Sequence, residues 1–152
     1  MQLINQHRID VAFVQEPYTI RNQLAGIPKT FRTYTYGNDR SRAAIIISNK
    51  DIDATTITQI SDKDCIAIEI KYNGKTFYGA SMYFDSNEDI KGDLQKMENM
   101  LHYTNGNSLL ILADTNARSK LWYDVINNER GKMLEEFITV NEPKYLKVFT
   151  FS

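Results

Sequence analysis

Two short stretches put carboxylates and amides where apolar strands should end. In LLILADTNARSKLWYD (residues 109–124), five apolar residues run directly into Asp114, and Asn116 follows two positions later. In VAFVQEPY (residues 11–18), four apolar residues lead into Gln15, Glu16 and Pro17. Proline has no N–H for a ladder bond, so the strand stops there and leaves Glu16 at its end. A third polar group, Tyr83, closes the segment returning from Asn73-Gly74. Strand ends are where loops open one edge of a sheet to ligands. If these strands are neighbours, a glutamate, an aspartate, an asparagine and a tyrosine converge.

That oxygen-rich set suits a hard divalent cation. Mg2+ takes one or two carboxylates and fills its remaining positions with water and substrate phosphate. Glu16 is read as the metal ligand, with Mn2+ as a substitute for Mg2+. Asp114 orients or deprotonates an attacking water. Asn116 donates to a phosphate oxygen or fixes the aspartate, and Tyr83 reaches the phosphate through its hydroxyl. The reaction class is metal-assisted phosphodiester hydrolysis. Each residue alone has a plainer reading: a solvated terminus for Glu16, an Asx-turn at Asp114, a half-buried sheet tyrosine at Tyr83. Spacing alone does not choose between them.

The elements that must position these groups follow from periodicity. Residues 1–7 read as the tail of a helix with Leu3 and Ile4 on its apolar face. Residues 11–14, 43–47 and 109–113 are apolar runs of strand length. Residues 30–36 alternate aromatic or Thr with polar groups, and Gly37-Asn38-Asp39 is a turn signal. Ile66, Ile68 and Ile70 alternate with Ala67 and Glu69, the pattern of a half-buried strand. Asn73-Gly74 is a strong hairpin signal, so residues 76–83 return antiparallel. A helix then begins near Ser86, read as its cap with Asp89 three residues on. Leu94, Met97 and Leu101 form its apolar stripe, with the methionines as core. Met133, Leu134, Phe137 and Ile138 mark a further helix. Residues 146–151 start a strand for which the sequence offers no partner. Hairpin strands mixed with crossover helices predict an α+β layered domain with helices over the outer faces.

The totals agree. The chain has 152 residues, 42% hydrophobic and 24% charged, enough for one domain with a real core. No apolar run approaches the ~20 residues of a membrane span, and the N-terminal residues are too polar for a secretory signal. A nuclear or cytoplasmic setting is expected. Cys65 is the single cysteine and sits in an alternating run, so it reads as a buried strand residue. The formal net charge of −1 means that any DNA contact comes from a local patch.

IDVAFVQEPY resembles the first catalytic motif of the endonuclease/exonuclease/phosphatase superfamily, and more narrowly of the apurinic-like endonuclease domains of non-LTR retrotransposons. LLILADTNARSKLWYDVINNERGKMLEEF resembles that family's strand–Gly-Asp-Phe-Asn-Ala–loop motif, continuing through Trp and Asn-x-Arg-Gly into a helix. YGASMYFD resembles the strand carrying the family tyrosine. The resemblance implies a DNase I-like layered α/β sandwich, with Glu16 on the metal and Asp114, Asn116 and Tyr83 in the catalytic set. Trp122, Arg130, Gly131, Leu134 and Phe137 match the following segment. Ala113 and Thr115 replace the family glycine and phenylalanine, which are mild departures.

The resemblance also implies pieces that residues 1–152 do not contain: a first strand ending in an asparagine, and C-terminal strands carrying Ser-x-Ile-Asp and Ser-Asp-His. The domain is expected to be partial, incomplete at both ends, poorly stable alone and weakly active or inactive. His7 and His102 lie in helices and read as surface histidines rather than substitutes. Arg40, Arg42, Arg118 and Lys120 flank the site in sequence and are candidate DNA-backbone contacts, Arg42, Arg118 and Lys120 foremost. Trp122 reads as a loop anchor in the core. The parent would nick a target-site DNA duplex and share a polyprotein with a reverse transcriptase. An abasic-site nuclease or phosphatase of the same superfamily, or a non-catalytic remnant, are the alternatives.

Overall fold

The structure, a computed structural model, describes residues 2–21, 23–37, 40–141 and 146–151. In chain order it contains α1 (Gln2–His7), β1 (Val11–Gln15), β2 (Thr19–Ile20), β3 (Gln23–Leu24), β4 (Arg32–Tyr34), β5 (Ala43–Ile47), β6 (Asp53–Thr56), β7 (Cys65–Tyr72) and β8 (Lys75–Tyr83). Then come α2 (Lys91–Thr104), β9 (Leu109–Asp114), a 3-10 turn (Lys120–Trp122), α3 (Glu129–Asn141) and β10 (Leu146–Phe151). The side chain of Leu3, and Asn38 and Asp39 of the expected turn, lie outside the described residues.

Two main sheets form. One has the order β1-β5-β4, all antiparallel; the other has the order β10-β9-β8-β7-β6. The β7–β8 hairpin turns at Asn73 and Gly74, both with positive φ (49° and 71°), as a two-residue primed turn requires. β8 to β9 and β9 to β10 are parallel, so each link is a crossover, made by α2 and α3. The strand beginning at Leu146 is therefore not alone: it pairs with β9 along its whole length, from Leu146 opposite Leu109 to Phe151 opposite Asp114.

Residue alternation builds two cores. Ile66, Ile68 and Ile70 of β7 pack between the sheets with Ala43, Ile45 and Ile47 of β5. Cys65 and Ala67 point the other way, into a second core with Met97 and Met100 of α2, Ile111 of β9 and Leu134 of α3. β7 is thus covered on both faces through residue 68 rather than half-buried as its alternation suggests. Small Ala67 suffices there because the helices supply the bulk. Both long helices lie against this one face of the five-stranded sheet. Burial pushes the Cys65 thiol up to about 12, the inert core cysteine expected.

Three boundaries differ from the periodicity. The strand expected over residues 30–36 is only β4. α2 starts at Lys91, and Ser86 does not cap it; the preceding Ile90 makes no side-chain cap and is fully buried. Residues 85–90 are engaged in local turns instead: Asp85 Oδ1 accepts from the Asn87 N–H (2.9 Å), and Asp89 Oδ1 from the Lys91 N–H (2.9 Å). Among the described residues no helix is long and apolar enough to cross a membrane.

Candidate active site at the strand ends

The parallel pairing of β8 and β9 sets Tyr83 directly opposite Asp114. β1 belongs to the other sheet, and one side chain fixes where it crosses. Gln15 Nε2 donates to Ser81 Oγ (2.9 Å) and to the Leu112 carbonyl (3.0 Å), while Ser81 Oγ donates to the Val14 carbonyl (2.9 Å). Ser81 and Leu112 are themselves register partners. They lie two residues, about 7 Å, short of Tyr83 and Asp114 along their strands. Glu16 follows Gln15 immediately, so this polar bridge brings Glu16 to the edge where β8 and β9 end. Small residues on β8 let β1 approach: a Cβ on Gly79 would stand 2.8 Å from the Phe13 ring.

Glu16 and Asn116 share an unusual backbone. Both have positive φ (47° and 48°), so the chain turns sharply as each strand ends. Asparagine tolerates this conformation; glutamate adopts it at a cost that a surrounding structure must impose. Glu16 is held there by its N–H, which donates to the Arg42 carbonyl (2.7 Å), and by buried Pro17 behind it. Its side chain is exposed. Asp114 Oδ1 accepts the Asn116 N–H at 3.3 Å, so the Asx-turn reading also holds. Asn116 Nδ2 donates to the Phe84 carbonyl (2.9 Å), and the Phe84 N–H donates to the Asp114 carbonyl (2.8 Å). Fully buried Phe84 thereby clamps the two strand ends, and the second N–H of the Asn116 amide stays available.

Arg42, a candidate DNA contact, is engaged in ion pairs within the fold. Its Nε and Nη2 donate to the two Asp64 oxygens (2.5 and 2.7 Å), and Nη1 donates to Asp85 (2.6 Å). The Asp64 hydrogen bond, more than Asp85, raises the guanidinium's affinity for its proton, and Arg42 holds the Asp85 carboxyl down to about 2. With its donors engaged, Arg42 lies 4.7 Å from the Tyr83 ring centroid as a cation–π partner. The Tyr83 N–H donates to the Asp64 carbonyl. Arg42 thus joins the Glu16 backbone to the Tyr83 ring, a positioning task that sequence order did not reveal.

The loop after Asn116 is tied to α3. Asn128 Oδ1 accepts the N–H groups of Gly131 (2.7 Å) and Arg118 (3.0 Å), capping the helix and gripping the loop with one atom. Gly131 is needed for that approach: a Cβ there would sit 2.0 Å from the Arg118 carbonyl oxygen. Arg130 donates to the carbonyls of Glu88 (2.6 Å) and Thr115 (3.2 Å). Trp122 packs on the core, and its Nε1 donates to the Ala117 carbonyl, as an anchor does. Arg118 makes a two-pronged pair with Asp124 (2.9 and 3.0 Å) and is a loop strut, though its side chain remains 48% exposed. Arg40 and Lys120 are exposed without an ion pair among the described residues. His7 and His102 are exposed on helices, away from the strand ends.

The donor set suits Mg2+ or Mn2+ rather than a protein-only cage. Among the described residues no three His, Cys, Asp or Glu side chains gather as a metal site. Glu16 and Asp114 are at most two carboxylates on an open edge, which leaves water and phosphate to complete an octahedral shell.

Comparison with known proteins gives this arrangement a lineage. Residues 77–149, from β8 to β10, match the family described as endonuclease-reverse transcriptase. The Pol polyprotein of the type-1 retrotransposable element R1 from Bradysia coprophila is 28% identical over 151 residues, covering 88% of this chain. The endonuclease domain of TRAS1, a telomere-specific non-LTR retrotransposon, superposes with a TM-score of 0.80 at 20% identity over 91% of the chain. Over residues 77–149 the chain is similar to the endonuclease-reverse transcriptase family, and its fold is that of the TRAS1 endonuclease domain. The human Nocturnin catalytic domain shares the fold more distantly, with a TM-score of 0.55 at 12% identity over 77% of the chain and 55% of its own length. The chain spans 15% of the Bradysia polyprotein and 61% of the TRAS1 domain.

Proposed function

We propose that the chain provides the metal-binding and phosphate-orienting part of a DNA-nicking endonuclease within a retrotransposon polyprotein. The observation that supports this is the Gln15–Ser81–Leu112 bridge, which ties the residue before Glu16 to β8 and β9 two residues short of Tyr83 and Asp114. Glu16 would hold Mg2+ or Mn2+, whose chemistry would be to stabilise charge on the phosphate oxygens. Asp114 takes a proton from the attacking water. The water oxygen bonds to phosphorus, the P–O3′ bond breaks, and the departing 3′-oxygen takes a proton from bulk water to become a 3′-hydroxyl able to prime reverse transcription. The free Asn116 N–H and the Tyr83 hydroxyl hold the phosphate oxygens during that exchange.

The chain spans 61% of the TRAS1 domain. The Asp-His pair that the family resemblance implies is expected from the remainder of such a domain. Sites whose members act together lose far more than an additive share when one is absent. This chain alone is therefore expected to nick weakly or not at all. A supercoiled-plasmid assay with Mg2+ tests the reading on this chain, on a version lengthened to the full domain, and on the lengthened Asp114→Ala variant. Nicking by the lengthened form that Asp114→Ala removes is the expected result. No nicking by either form would overturn it in favour of a non-catalytic remnant. Preference for abasic-site duplex would move the substrate to repair-type DNA.

A further inference from the structure

We propose that Tyr123 is a base-stacking platform, which holds a nucleobase of the target DNA next to the phosphate that Asn116 contacts. The proposal rests on the endonuclease reading and adds a specificity element to it. Tyr123 is 99% exposed, and it has a left-handed backbone (φ 68°) that is uncommon for a bulky residue. The loop presenting it is held by hydrogen bonds. The Tyr123 N–H donates to the Lys120 carbonyl, the Asp124 N–H to the Ser119 carbonyl, and the Lys120 N–H to Asn127 Oδ1. Trp122 and the Arg118–Asp124 pair anchor it from below. A fully exposed aromatic ring, held in an unfavourable conformation by a well-bonded loop, contributes nothing to the core.

The occupant follows from what surrounds the ring. A cleft of about 520 Å3 runs from Asn116 past Arg118 and Trp122 to Tyr123 and Val125, so the stacking surface is continuous with the candidate phosphate site. The exposed cation Lys120 stands three residues before the ring. Asp124, the single acid in residues 115–128, is paired with Arg118 and so opposes a phosphate backbone less. A π-face beside a candidate phosphate site, with the exposed cation Lys120 on the same loop, fits a base on a nucleic-acid strand, because every base offers a π-face and every phosphate a charge.

The test uses a duplex oligonucleotide carrying 2-aminopurine, bound without added metal so that it stays intact. Anisotropy reads affinity, and 2-aminopurine emission reads stacking. Tyr123→Ala is expected to weaken binding about 5- to 100-fold and to abolish the emission change, with Tyr123→Phe close to wild type. The slope of affinity against salt should stay unchanged in Tyr123→Ala, because no cation is lost, and should fall in Lys120→Ala. The ring packs on nothing, so the melting temperature is expected to hold. Wild-type affinity and emission in Tyr123→Ala would overturn the stacking role and leave the endonuclease reading standing. No duplex binding by the wild-type chain would overturn both. A loss of self-association instead of DNA binding would reassign the surface to a second copy of the chain.

Discussion

Replacing Gln15 by glutamate keeps the side chain's volume and exchanges its NH2 for an oxygen. The native amide makes two donated bonds, to Ser81 Oγ and the Leu112 carbonyl. The new carboxylate can make neither. Ser81 cannot turn to help without giving up its own bond, because its hydroxyl proton already goes to the Val14 carbonyl. Two lost bonds amount to about 1–3 kcal/mol, and a half-buried carboxylate facing a carbonyl adds to this. A total of about 3 kcal/mol corresponds to a melting-temperature drop of roughly 6–12 °C for a chain this size. The effect has a pH signature. Lacking donors, the new carboxyl would have a folded-state pKa above its unfolded value of ~4.3. Stability linked to it is then present below that value and lost as pH rises through the folded-state pKa. The gap between Gln15→Glu and wild type should open from pH 4 to pH 8, as followed by circular dichroism melts. A variant melting within about 2 °C of wild type at pH 7, or a gap that ignores pH, would refute the bridge between β1 and the strand ends.

Gly131→Ala should destabilise the chain by about 3 kcal/mol or more, because the clashing group is backbone, the Arg118 carbonyl 2.0 Å away. Gly79→Ala should cost less, about 1–2 kcal/mol, since the Phe13 ring at 2.8 Å can swing aside. Calorimetric melts that reverse this order would contradict the proposed grip of α3 on the loop. The Asp93 carboxyl is pushed up to about 6, chiefly by burial, with Lys96 and Arg130 opposing and Asp64 and Glu88 reinforcing. Its folded pKa lies above the unfolded one, so the stability linked to it is present below ~4 and lost as pH rises through 6. Asp93→Asn should therefore raise the melting temperature by a few degrees at pH 7.5, about 1 kcal/mol after discounting for partial exposure, and change nothing near pH 4. An equal gain at both pH values would refute this.

What the sequence made legible was local. Asn73-Gly74 announces its hairpin because the turn's backbone demands those residues. The apolar runs ending at Gln15 and Asp114 announce strand ends because a carboxylate does not continue a buried strand. The unreadable parts depend on contacts distant in sequence. β10 finds β9 through a parallel crossover, and no short pattern encodes that. β7 is covered twice because helices arrive from residues 91–141. α2 begins five residues late because Asp85 is drawn to Arg42 and Ile90 into the core. At the site, Glu16, Asp114, Asn116 and Tyr83 were visible by type, but the residue that aligns them, Gln15, was hidden by its ordinariness. Arg42's ion pairs with Asp64 and Asp85 were not legible either, because both partners lie more than 20 residues away in sequence. Trp122 was the expected anchor, and its neighbour Tyr123 gave no signal, since exposure is a property of the fold.

In the proposed function Glu16, Tyr83, Asp114 and Asn116 meet at one metal-binding edge. Mn2+ titration followed by amide NMR line broadening tests it without needing turnover. The amides of residues 16, 83–84 and 114–116 are expected to broaden together at the lowest Mn2+, and Glu16→Gln is expected to remove the effect at all of them. Broadening centred on Asp62, Asp64 and Asp93 instead, or signals at Glu16 and Asp114 that respond independently, would contradict it.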